Sequence, residues 1–185
     1  MTGPVSLPGV VQSLSVQLAA FQAVLLVASG LHKLIWRGRI QAVAHEFAGV
    51  PPHLARFSVV LAAAAEMLAA WLLWSPPYRA AGGALAMLIW SGYLFLMLRA
   101  MAQGRRDVDC GCSFGAAAQR PLGAYHVMRN AVLILTAAVV AAGSPAGIAV
   151  PVLASQILAA LALLALYGAL DQAMALTPPR AGELS

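Results

Sequence analysis

Charged side chains are scarce in this chain of 185 residues: 9% are Asp, Glu, Lys or Arg, while 62% are hydrophobic. A soluble domain usually carries about 25% charged residues. So little polar surface argues against a water-facing exterior and for one facing lipid, and the mean hydropathy of +0.84 agrees. Cysteine is almost missing as well. The two present, Cys110 and Cys112, are too few for a disulfide scaffold and can form one internal pair. Lys and Arg are absent from the first 31 residues. With no basic n-region, and an apolar stretch too long for an h-region, the start reads as a retained helix rather than a cleaved signal peptide. Acidic residues number 6 against 11 Lys and Arg, a net charge of +5. In a soluble protein that balance would suggest nucleic acid. Here the basic residues sit in short loops, so orientation in a membrane accounts for them and no nucleic-acid partner is expected. There is no internal repeat.

What the chain does have is long apolar runs. A span needs about 20 mostly apolar residues, because the hydrocarbon core is ~30 Å thick and a helix rises ~1.5 Å per residue. Five segments qualify, at about 14–36, 57–74, 80–101, 122–142 and 150–170. The expected fold is an all-α integral membrane bundle over 14–170, with an amino-terminal tail at 1–13 and a polar carboxy-terminal tail at 171–185. Ser75-Pro76-Pro77 ends the second span, Pro121 suits the first turn of the fourth, and Gly143-Ser144-Pro145 leads into the fifth. Two connections are long. Arg37–Arg56 mixes apolar and polar residues and suggests an interfacial helix ending before Pro51-Pro52. Ala102–Arg120 holds both cysteines. These two connections share a side of the membrane, which carries Lys33, Arg37, Arg39, Arg56, Arg99, Arg105, Arg106 and Arg120 against Arg79 alone on the other. The positive-inside rule puts that side in the cytoplasm and the amino terminus outside.

Several residues stand out as candidates for chemistry. In Cys110-Gly111-Cys112 an extended backbone would hold the two Cα atoms ~6.6 Å apart, near the upper limit of disulfide geometry. Gly111 permits a bend, and a disulfide in so small a ring should be strained and easily reduced. Arg105 and Arg106 favour thiolate, while Asp107 and Asp109 oppose it. The alternative is two incidental loop thiols. A metal site needs more ligands than two thiolates, with only His126 near in sequence, so no metal is expected. Glu66 sits about ten residues into the second span, where a carboxylate costs about 2.5 kcal/mol or more. It reads either as half of a structural polar pair or as a proton or substrate site. Arg129-Asn130 lies ~12 Å along the fourth span from Pro121. Arg129 can snorkel to the interface or meet Glu66, and it shares a face with Tyr125. His32-Lys33 closes the first span: Lys33 reads as an interfacial anchor, and His32 is able to titrate near neutrality. Lys33, Glu66, Arg129, Asn130 and both thiols are all reached from the same side. A polar pocket roofed by the cysteine connection is therefore expected. Small residues (Ala62, Ala65, Ala69, Gly82, Gly83, Ala86) permit close helix approach.

The order of these pieces resembles the MauE/DoxX-like family of redox-associated membrane proteins, in its MauE branch. The resemblance rests on Gly30-Leu31-His32-Lys33-Leu34, Phe47-Ala48-Gly49-Val50-Pro51, Glu66, Cys110-Gly111-Cys112-Ser113-Phe114-Gly115 and Arg129-Asn130. It covers roughly residues 14–170. Ser113 is a departure, since the family pattern runs from Cys-x-Cys directly into Phe-Gly. The resemblance implies a four-helix DoxX-like core plus a fifth transmembrane helix, in the bacterial cytoplasmic membrane. It implies a thiol–disulfide relay or maturation factor serving methylamine dehydrogenase, whose small subunit carries many disulfides and a tryptophan-derived quinone. A thioredoxin-like partner would exchange electrons with Cys110 and Cys112 through a mixed disulfide, and electrons would leave through a partner or a bound quinone. That role puts the cysteines in the periplasm, opposite to the charge count. Two other readings stand beside it: a non-catalytic scaffold for a redox partner, and a small transporter using Glu66 and Arg129. The chain has neither repeated halves nor a pair of broken helices to support transport.

Overall fold

The computed structural model describes residues 7–36, 38, 40, 41, 44, 45, 49–105, 122–143 and 150–176. Within them the chain forms α1 (Leu7–Ile35), α2 (Pro52–Trp74), a 3-10 turn (Pro76–Tyr78), α3 (Arg79–Ala102), α4 (Ala124–Ala142) and α5 (Val150–Leu176). Four stretches are long and apolar enough to cross a bilayer: Gln12–Ile35, Pro52–Trp74, Pro76–Ala102 and Ala124–Ala142. A shorter apolar stretch, Ile157–Leu170, lies within α5. The chain is a multi-pass membrane helical bundle.

Helix ends follow local chemistry rather than the edges of the apolar runs. α2 starts at Pro52, five residues before the run at Phe57, because proline at the first helical position loses no bond it would otherwise make. Leu54 and Ala55 donate back to the Pro51 carbonyl at 2.9 and 3.0 Å. α2 stops at Ser75, whose extended backbone (φ −86°, ψ 112°) is what a following proline imposes. α3 ends on Gly104 at φ +71°. There the Gly104 and Arg105 amides donate to the Met101 and Ala100 carbonyls, both at 3.0 Å, the paired capping bonds that a left-handed glycine allows. α4 starts after Gly123, whose amide donates to His126 Nδ1 at 3.3 Å; His126 thus serves a helix start. Pro121 lies outside the described residues. In the first connection Gly38, Ile40, Gln41, Ala44 and His45 are helical, and Ile40 is buried.

α1 packs against α2, α4 and α5, and α3 packs against α2 and α4. The core between them is built from Leu25, Leu26, Leu73, Trp90, Leu133 and Val140, with Ala69, Ala86 and Ala137 filling the closest contacts. A Cβ on Gly83 would lie 2.6 Å from the Ala141 amide nitrogen, so α3 and α4 meet backbone to backbone as small residues allow. Ala62 and Ala65 act differently from that expectation: half-buried, they line a shallow groove with Gly92 and Tyr93 between α2 and α3. Phe57, Leu61, Leu88, Phe95, Met128, Leu135 and Leu158 are each more than half exposed, the exterior suited to lipid.

Candidate functional site

Ser29 and Lys33 are four residues apart on α1 and so share one face. α1 can bring that face against α2 because Gly30 sits at the crossing: an added Cβ would stand 3.3 Å from the Ala63 carbonyl oxygen and 3.3 Å from Met67 Sδ. The approach places Glu66 directly opposite. Lys33 Nζ lies 2.8 Å from Glu66 Oε1 and 3.2 Å from Oε2. It also donates to Ser29 Oγ at 2.7 Å, while Ser29 Oγ donates to Glu66 Oε1 at 3.0 Å. From α3, the Tyr93 hydroxyl donates to the same oxygen at 2.6 Å, and Lys33 Nζ stands 5.1 Å from the centre of the Tyr93 ring. One carboxylate on α2 thus gathers donors from α1 and α3. Glu66 is fully buried and Lys33 is 5% exposed.

This corrects the reading of Lys33 as an interfacial anchor. Lysine snorkels to water when nothing inside compensates its charge; here a carboxylate does, and the side chain turns inward. Glu66 is held by Lys33, while Arg129 stands elsewhere. Its guanidinium lies 6.0 Å from the Tyr125 ring centre and 5.7 Å from that of Tyr167 on α5, within cation–π range. Asn130 donates through Nδ2 to the Trp90 carbonyl at 2.8 Å, tying α4 to α3. His32 is half-buried, with its ring 6.5 Å from that of Trp36.

A second buried network lies deeper. Gln22 on α1 accepts from Trp90 Nε1 at 2.8 Å and donates through Nε2 to the Leu133 carbonyl at 2.9 Å and to Thr136 Oγ1 at 2.7 Å. The Trp90 ring meets the Tyr93 ring edge-on at 5.9 Å, so this network abuts the one that holds Glu66. Sequence reasoning missed Gln22, Trp90 and Tyr93. A signal was present for Gln22, an amide in the middle of an apolar run, where polar side chains usually bond across helices.

Cys110 and Cys112 lie outside the described residues, as do Arg106, Asp107, Asp109 and Arg120. The two anchors of their connection are described. Arg105 follows the α3 cap, and Leu122, buried, packs with Met97 and Ala100 of α3. Both stand at the end of the bundle where α1 finishes and α2 begins. The first connection reaches the same place: Gly49, at φ +67°, would direct a Cβ to 3.8 Å from Arg99 Nη2. That positive φ accounts for glycine in Phe47-Ala48-Gly49-Val50-Pro51.

Comparison with known proteins adds a relationship. The family described as methylamine utilisation protein MauE matches residues 11–143, from the first turns of α1 through α4 and including both long connections. The methylamine utilization protein MauE of Paracoccus denitrificans is 33% identical over 135 residues, which cover 71% of this chain and 70% of that protein. α5 lies beyond the family match. No solved structure gives a significant match.

Proposed function

The chain belongs to the methylamine utilisation protein MauE family, and from that premise we propose that it is a membrane thiol–disulfide relay of methylamine utilisation, working through Cys110 and Cys112 with a thioredoxin-like partner. One observation carries the reading. Leu122, where the cysteine connection returns to the bundle, packs with Met97 and Ala100 of α3 beside Tyr93, whose hydroxyl donates to Glu66. The connection that carries the chain's two thiols in sequence thus returns to the bundle close to the Lys33–Glu66 pair, which supports the reading.

The exchange balances as follows. A thiolate of the reduced partner attacks the Cys110–Cys112 disulfide, forming a mixed disulfide and releasing one thiolate of this chain. The partner's second thiolate then breaks the mixed disulfide, leaving the partner oxidised and Cys110 and Cys112 as a dithiol, with two electrons and two protons gained. A second protein in its disulfide form, or a membrane quinone, closes the cycle by accepting them.

The relay reading calls for the cysteine connection on the periplasmic face of a bacterial inner membrane, against the bias of basic residues. That bias is weaker than its count, because Lys33 is committed to Glu66 and does not anchor at the interface. A second reading has an observation of its own. The donors found on Glu66 all come from the chain's own helices, which suits a rigid scaffold for a redox partner.

A membrane-impermeant maleimide on intact cells separates the two. Labelling that appears only after reduction supports an outward-facing disulfide and the relay; a partner lacking its second thiol should then stay trapped in a mixed disulfide with this chain. Thiols found reduced, inside and indifferent to oxidants, together with unchanged growth on methylamine of a Cys110→Ser/Cys112→Ser variant, would leave the scaffold.

A further inference from the structure

The arginines at the cysteine end of the bundle have no part in the thiol exchange itself. With Lys33 set against Glu66, that end still carries seven arginines in or beside its two long connections, against Glu46, Asp107 and Asp109. On a periplasmic face such an excess runs against the rule that keeps Lys and Arg in the cytoplasm, so orientation does not account for it. Two of the seven are placed by described helices. Arg99 lies in the last turn of α3, between Met97 and Ala100, on which Leu122 packs where the cysteine connection returns. The first connection comes to the same side chain, since a Cβ on Gly49 would stand 3.8 Å from Arg99 Nη2. Both long connections therefore reach this turn of α3. Arg56 lies in the second turn of α2. α2 and α3 pack together and are joined by the tight turn at their other end, so Arg56 and Arg99 share one end of the bundle. The helix dipole favours a cation at the carboxyl end of α3, but a cation near the amino end of α2 gains nothing from it. Helix stability thus leaves Arg56 unexplained. Both side chains are exposed.

We propose, resting on the relay reading, that Arg56 and Arg99 form a basic docking rim that selects redox partners with an acidic surface around their own sulfurs. Exchange brings a partner sulfur to bonding distance of Cys110 or Cys112, about 2.05 Å in the mixed disulfide. The partner's surface is then drawn down on the end where the arginines stand. Carboxylates there can meet the guanidinium groups in paired hydrogen bonds, and the long-range attraction speeds encounter before any covalent step. A neutral partner gains nothing from the rim, and a basic one is repelled by it.

Small disulfides of defined charge stand in for the partner: dithiodipropionate as the dianion, hydroxyethyl disulfide as the neutral probe and cystamine as the dication. The full-length chain is reduced in neutral detergent and mixed with each. A thiolate of Cys110 or Cys112 displaces one thiolate of the probe, and the second cysteine displaces the other. Two electrons leave the chain as its own disulfide forms, and the probe is released as two thiols. Each rate is divided by that of a capped, uncharged Cys-Gly-Cys peptide, which removes the intrinsic differences between probes. At low ionic strength the dianion should react about tenfold faster than the neutral probe, the lower end of electrostatic steering, and the dication more slowly. In about 1 M salt, where the screening length falls to about 3 Å, the three rates should converge. That salt series needs no variant. Arg56→Gln/Arg99→Gln should lose most of the dianion-to-neutral ratio, and Arg56→Lys/Arg99→Lys should keep it. Equal corrected rates for the three probes in wild type would overturn the proposal while leaving the relay standing, as would a ratio that survives Arg56→Gln/Arg99→Gln. A ratio that vanishes in nanodiscs of phosphatidylglycerol but persists in phosphatidylcholine would mean that lipid headgroups occupy the arginines, and would overturn it too. Thiols that react with none of the three probes would sink the relay reading and the docking rim together.

Discussion

Two buried polar networks lie side by side in this bundle and are built on opposite terms. Around Gln22 every group is neutral: an amide, an indole, a hydroxyl and a backbone carbonyl, joined by single hydrogen bonds between α1, α3 and α4. Around Glu66 the partners are charged, and one carboxylate collects Lys33, Ser29 and Tyr93. The neutral network can lose a member and leave modest dipoles unsatisfied. The charged one cannot, because each ion is tolerated inside only through the other. The first therefore acts chiefly on helix register, while the second joins α1, α2 and α3 only as an intact pair.

The sharpest way to break this contrast is to remove one ion. Glu66→Ala leaves the Lys33 ammonium buried alone and should cost about 3–5 kcal/mol, read from the unfolding midpoint in a denaturing-detergent titration. The double variant Lys33→Met/Glu66→Leu should recover most of that loss. If single and double variants lose equally, the two ions do not compensate each other and the contrast fails. Tyr93→Phe removes one of three donors on Oε1 and should cost about 1.5–3 kcal/mol, the range for a hydrogen bond to a charged group, in the same titration. Gln22→Leu should have the smallest effect, about 1 kcal/mol, as typical of interhelical hydrogen bonds in membranes. A larger loss from Gln22→Leu than from Glu66→Ala would reverse the ranking.

Much of the fold was legible because a lipid exterior demands long apolar runs, and those runs are the spans. Prolines and glycines at 52, 76 and 104 then set the helix ends more finely than hydropathy does. The candidate site was legible in part. Glu66 stood out because a carboxylate in a span needs a reason, but the sequence left its partner open, with Arg129 as one candidate and Lys33 on the same side. Lys33 lies near the end of its span, where position along the helix says interface; only the crossing at Gly30, a three-dimensional fact, turns it toward Glu66. Tyr93 and Trp90 were invisible for another reason. Aromatic residues are ordinary in apolar helices, and nothing in their spacing says that a hydroxyl or an indole N–H is pointed at a partner. Arg129 and Asn130 are both buried, yet adjacent positions on a helix face different neighbours: one meets rings, the other a backbone carbonyl.

The Lys33–Glu66 pair also bears on how the chain enters its bilayer. Taken alone, α2 carries a carboxylate whose transfer into hydrocarbon opposes insertion by about 2.5–3.5 kcal/mol at a central position, and α1 carries an ammonium in its last turn. Joined, the two groups present nearly no net charge to the lipid. The first two helices are thus suited to leave the translocon together, as a preassembled hairpin, with α3 arriving afterwards to cap the pair through Tyr93.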